Sequence, residues 1–282
     1  MAPSIHLILS EPHSMNTSLE EDIRAAAEAG FACLDLWAPK LGDYLANYPL
    51  ASLDARLREH NVYVAAISGA GPIPAYQTGP ASREEQIVFR AQFLEHCMHL
   101  DALGGGIIVV CPGPRPGREI GEKALTAWTV RSLRGLSGLA APFEVQVAFE
   151  FRGDVSSSVR SLQASQEIVD LVGRRNVRLA LSTFQLQLSG SGPEQVEALH
   201  TGKLALVHFG GIKDLSPEAE RDEKRLLPGR GVLLLQDTCR RLAAKGFRGP
   251  YSVQLPAGQH LCLGSAALAR QAALEVLAPL YP

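Results

Sequence analysis

The chain has 282 residues, 46% hydrophobic and 20% charged, enough to bury the core of one large domain or two ordinary ones. Its 27 basic and 29 acidic side chains leave a formal charge of -2, without the broad electropositive footprint of a nucleic-acid binder. Five cysteines, Cys33, Cys97, Cys111, Cys239 and Cys262, are odd in number and form no CxxC, which argues against a disulfide scaffold or a structural zinc. The short apolar run near the N-terminus lacks a basic region before it, and no stretch approaches 18 apolar residues. The expectation is therefore a cytoplasmic protein that neither is secreted nor spans a membrane.

In chain order, short β-rich apolar runs begin near Ile5, Phe31, Val62, Gly106, Val145, Val177, Leu204 and Tyr251 and alternate with segments of helical period. The spacing of about 35 residues is that of one βα unit, and eight such units use residues 1–282 as a single (β/α)8 TIM barrel domain. Ser18 with Glu21, and Ser82 with Glu85, are spaced as capping boxes. Along the third helix Ile87, Ala91, Leu94 and Met98 form a stripe expected to lie against the sheet. Gly192-Pro193 suits a helix start, and Gly173 and Gly246 stand where helices stop. His96, His99 and His200 read as surface or packing residues.

Strand parity points to a site. In the fifth run Val145, Val147, Phe149 and Phe151 alternate with Gln146, Ala148, Glu150 and Arg152, so the second set faces the barrel axis and reaches the mouth at Glu150 and Arg152. The same parity turns Ser182, His208 and Gln254 inward near the ends of later strands. Barrel chemistry sits at that C-terminal rim. Glu150, on a mostly apolar strand, needs a cation or an arginine: it is a metal ligand or general base, or else an ion-pair partner of Arg152 or Arg230. His208 ends an apolar strand and is a candidate site residue. The turn in LLPGRGVLLL presents backbone amides to an anion or is a plain tight loop. Asp214 and the run from Glu218 to Arg225 read as a solvated loop, and Cys111 lines the mouth without a partner base. Gly104 to Gly106 precede a strand and so do not match a dinucleotide fingerprint. The segment Gly69 to Gly79 is a lid, a surface loop or a subunit contact.

Taken together, LGGGIIVVCPG, VAFEF, LALSTFQL, LVHFGGIKD and LLPGRGV followed by GPYSVQL resemble the fourth to eighth strands of the xylose isomerase-like TIM barrel superfamily. That group includes sugar phosphate isomerases and epimerases, inositol-pathway enzymes and abasic-site endonucleases. The resemblance implies one divalent cation held by Glu, Asp, His and Glu from the last four strands. Glu150 and His208 match that set, but Ser182 stands at the aspartate position and Gln254 at the final glutamate. Gln185 replaces a frequent histidine, and Arg230 replaces the glutamate of a PGEG turn. Hard cations rely on charged oxygen ligands, and losing two carboxylates weakens binding by roughly a thousandfold or more. The resemblance therefore implies a weak or absent site for manganese or magnesium at Glu150 and His208.

Two readings follow. In the first, the chain is a sugar isomerase or epimerase acting on a small sugar, polyol or keto acid. Glu150 and His208 are then catalytic, with Arg152, Ser182, Gln185, Arg230 and Gln254 as substrate-binding residues. In the second it is a non-catalytic sugar-binding, regulatory or partner-subunit barrel, whose neutral amides and hydroxyls suit a polyol. The multi-metal, histidine-rich site and DNA-binding face of an abasic-site endonuclease are not apparent. A small sugar or polyol is the expected ligand, with no nucleic acid or membrane partner. A homo-oligomer or a partner subunit remains open.

Overall fold

Every second residue of these strands is small or apolar, and in the computed structural model that alternation closes them into a ring. The structure describes residues 6–11, 17–74, 80–117, 119–213, 225–231, 235–255 and 263–281. The strands in chain order are β1 (Leu7–Ser10), β2 (Cys33–Trp37), β3 (Tyr63–Ser68), β4 (Ile107–Val110), β5 (Gln146–Glu150), β6 (Val177–Ser182), β7 (Leu204–Phe209), β8 (Gly211–Ile212), β9 (Arg225–Leu226) and β10 (Tyr251–Gln254). Strands β1 to β7 and β10 form a closed parallel barrel, with β10 pairing to both β7 and β1. The short antiparallel pair β8 and β9 stands apart from it and was not foreseen from the sequence.

Parity sorts the two faces of the ring. Ala66, Val109, Ala148, Ala180 and Leu206 fill the inside with Ile107, while Leu34, Leu36, Val147, Phe149, Leu179 and Leu181 join the larger core beneath the helices. Small residues inside allow strands to approach the axis, and large ones outside give the helices a surface to cover.

The helices are α1 (Leu19–Ala29), α2 (Ala38–Leu45), α3 (Leu50–Glu59), α4 (Pro80–Leu103), α5 (Glu122–Ala140), α6 (Leu162–Val172), α7 (Thr183–Leu188), α8 (Leu235–Ala244) and α9 (Leu263–Leu277). At the start of α1 the Ser18 hydroxyl accepts the Glu21 amide while Glu21 accepts the Ser18 amide, the full capping box. Gly173 caps α6 with φ 63°, and Pro193 opens a 3-10 helix over Pro193–Ala198 behind Gly192. The sixth unit thus carries the short α7, this 3-10 turn and a second one over Thr201–Lys203. No described helix is long and apolar enough to cross a membrane.

Two expectations about α4 are corrected. The helix already begins at Pro80, so Ser82 falls inside it rather than at its cap; the Ser82 side chain lies outside the described residues. The stripe against the barrel is Phe89, Phe93, Cys97 and Leu100, all buried, whereas Ile87 and Met98 are 62% and 53% exposed. Both stripes have helical spacing, and the larger aromatic payload of Phe89 and Phe93 wins the buried side. Accordingly, Phe93→Ala is expected to lower unfolding stability by about 3–5 kcal/mol in a denaturant titration. Ile87→Ala should stay within about 0.5 kcal/mol of the parent.

Candidate active site

Five neighbouring strand ends bring polar side chains to the axis just below the C-terminal mouth. The register sets Ser182 and Ser252 beside His208, and Ser10 beside both Asp35 and Gln254. His208, nearly fully buried, occupies the centre: its Nδ1 meets Glu150 Oε2, and its Nε2 lies 3.1 Å from Asp35 Oδ2 and 3.3 Å from Ser68 Oγ. Asp35 Oδ2 also accepts from the Ser252 hydroxyl at 2.8 Å and the Ser10 hydroxyl at 3.4 Å. A carboxylate only accepts, so an imidazole facing one on each side donates from both nitrogens and carries a positive charge. Burial opposes that charge, but the Glu150 carboxylate and the hydrogen bonds to Asp35 and Glu150 prevail and raise the His208 pKa to about 10.

A second cation lies close by. Arg225, buried, donates from Nη1 to Gln254 Oε1 at 2.6 Å, and its guanidinium carbon sits 3.8 Å over the Phe184 ring. Glu150 and Asp35 flank His208, and Arg225 engages Gln254 beside them. Ser182 Oγ caps α7 by accepting the Gln185 amide at 3.3 Å, and Gln185 Oε1 accepts the Gly153 amide at 2.8 Å. Thr183 Oγ1, donating to the Gly210 carbonyl at 2.9 Å, ties the same turn to the end of β7.

Above this floor a cleft of about 350 Å³ opens between the ends of β3, β4 and β5, lined by Gly69, Val109, Cys111, Arg152, Asp154 and Ser156 among others. Arg152 is half-exposed there, 3.7 Å from Asp154. Burial, followed by the nearby Glu150 charge, pushes the Cys111 thiol up to about 12, so it stays protonated and is no nucleophile at neutral pH. Residues 69–74 are pinned, Ile73 by its amide to the Cys111 carbonyl at 2.8 Å and Pro74 by the Trp128 indole at 3.2 Å. The rest of the suggested lid lies outside the described residues.

The structure turns Glu150, Ser182, His208 and Gln254 inward as parity indicated, sets Gln185, named from the resemblance, beside Ser182, and leaves Arg152 and Arg230 exposed towards solvent. Glu150 pairs with His208, because both strand ends turn inward. Arg225, taken as part of a solvated loop, is buried against Phe184 and Gln254; residues 214–224 of that run, Asp214 included, and Cys262 lie outside the described residues. Asp35 escaped the sequence reading, although an aspartate between Leu34 and Leu36 on a strand is the same signal that marked Glu150. The turn before α8 does need its glycine: a Cβ on Gly231, at φ 91°, would sit 1.9 Å from the Ile212 carbonyl oxygen.

The polar ends of Glu150, Ser182, His208 and Gln254 are each engaged by the protein's own groups. Both His208 nitrogens face carboxylates, the Gln254 amide oxygen accepts from a guanidinium, and the Ser182 hydroxyl accepts a helix amide. Among the described residues no three His, Cys, Asp or Glu side chains are arranged to hold a metal ion.

A closed eight-stranded parallel barrel with polar side chains gathered under its C-terminal mouth defines a barrel-type binding or catalytic protein. The family is the xylose isomerase-like TIM barrel, whose model matches residues 23–280, and the chain belongs to it. The inosose isomerase of Bacillus velezensis is 26% identical over 242 residues, 85% of this chain and 84% of that protein. A crystal structure of the IOLI protein with a bound zinc atom has a TM-score of 0.88 at 23% identity, covering 98% of this chain and 99% of that one. D-psicose 3-epimerase with D-tagatose, from Clostridium cellulolyticum H10, has a TM-score of 0.73 at 16% identity, covering 98% and 99%. At such identities the two structures speak for the fold alone.

The raised His208 pKa has a measurable sign. The folded state binds this proton more tightly than the unfolded chain, so the stabilisation is fully present below the ordinary value near 6.5 and is lost as pH rises to about 10. Unfolding free energy measured between these limits should fall with pH, and His208→Gln should flatten that slope.

Proposed function

We propose that this barrel is a sugar isomerase or epimerase-type enzyme that moves a proton next to the carbonyl of a small keto sugar or keto-polyol, without the family's divalent cation. The observation that carries the reading is the polar floor: His208 held between Glu150 and Asp35, with Arg225 on Gln254 at the last ligand position. A divalent ion there has to displace a buried imidazolium from two carboxylates and approach a guanidinium, in addition to lacking two charged ligands. The name inosose isomerase carried by the relative supports a keto-polyol as the substrate class.

In the proposed step Glu150 takes the proton from the carbon beside the carbonyl. The C–H electron pair forms the enediolate double bond, and negative charge gathers on the former carbonyl oxygen. Arg225 and His208 are the buried cations proposed to stabilise that oxygen, in a setting where such interactions gain strength. The hydroxyl proton of the first carbon then passes to the former carbonyl oxygen, its O–H electron pair forming the new carbonyl, and return of the proton from Glu150 to the former carbonyl carbon completes an isomerisation with a single base. Arg152, at the exposed edge of the cleft, is placed to orient the substrate, and the amide and hydroxyl groups of Gln254 and Ser182 suit its hydroxyls.

Deuterium wash-in from heavy water into a keto-inositol, followed by proton NMR, tests this reading. Exchange is expected to persist in excess chelator and to fall by about 100-fold or more in Glu150→Gln, the scale of a lost general base. Exchange that stops with the chelator would show that a metal is used. Saturable binding with no exchange would favour the non-catalytic barrel, a reading to which the engagement of Glu150 by His208 lends some weight.

A further inference from the structure

At the opposite end of the barrel, away from the mouth, positive charge is concentrated without an obvious structural use. A cavity of about 410 Å³ is lined by Arg174, Arg175, Arg178 and Lys203, together with Asp170 and the backbone of Gly173 and Gly202. These residues belong to the amino-terminal ends of β6 and β7 and to the end of α6. Asp170 is the single acidic residue in the lining and is already paired with Lys203. The lining therefore carries an excess of three positive charges in a chain whose formal charge is -2.

Arg178 distinguishes this cluster from a solvated rim. It shares the inward parity of Ala180 and Ser182 on β6, is half-buried, and has no hydrogen bond or ion pair among the described residues. A guanidinium partly withdrawn from water without an acceptor is costly, and its planar fork matches the paired oxygens of a phosphate. Nor do Arg174 and Arg175 have an ion-pair partner among the described residues. The volume falls in the range of small-molecule sites rather than that of a single ion.

We infer that this cavity is an anion site for a multiply charged phosphate compound, a polyphosphate or a phosphate ester, about 13 Å along β6 from Ser182 at about 3.3 Å per residue. It is separate from the chemistry at the mouth and does not depend on the activity proposed above. Its natural ligand is defined by two features: at least two negative charges, to meet three surplus cations, and a body small enough for the cavity.

Calorimetric titration of the full chain with tripolyphosphate, in about 0.1 M salt where screening acts over about 10 Å, tests the inference. The expected result is saturable one-to-one binding that Arg178→Gln weakens by about tenfold or more, that Arg178→Lys weakens less, and that Arg83→Gln, on the exposed side of α4, leaves unchanged. Circular dichroism of each variant establishes that it is folded. No saturable binding by the folded parent, or an equal loss in Arg83→Gln, overturns the site. A DNA duplex bound more tightly than tripolyphosphate, and equally sensitive to Arg178, would replace the small ligand with nucleic acid.

Discussion

The imidazole of His208, held between the carboxylates of Glu150 and Asp35, is the interaction on which the architecture of the mouth depends. It joins β7 to β5 and β2 across the barrel axis, where a lone charge of either sign would be expensive. Three serines from β1, β3 and β10 complete its surroundings, so five further strands converge on one ring. Such a cluster fixes the relative height of the strand ends as firmly as the backbone register does. It also decides what else the floor can hold.

Charge pairing governs the floor of the barrel, where Glu150 and Asp35 flank the imidazole of His208. Arg225, stacked on Phe184, donates to the amide oxygen of Gln254. Ser182 caps α7 and Gln185 clamps the backbone at Gly153, so these polar atoms find partners within the protein.

Much of the barrel was legible in the linear pattern. Alternation along VQVAFEF separated the inside of the ring from its helix-facing side, and the same parity carried Ser182, His208 and Gln254 to the axis. Asp35 was equally visible in CLDLW but lacked a motif to draw attention to it. Arg225 was not visible, because a cation within an acidic and basic run looks solvated until β9 turns it over Phe184. The α4 stripe failed for a related reason: a helix with apolar residues on two sides has two candidate inner faces, and periodicity does not rank them.

What the sequence alone determined was the repeat, the direction of each strand's side chains and the polar residues at strand ends, since these follow from local periods of 2 and 3.6 residues. Which residues meet was decided only by closure of the barrel. His208 and Asp35 are 173 positions apart, and no local rule relates them. Closing β10 onto β1 brings them together, and the cost of an unpaired charge on the barrel axis keeps them there.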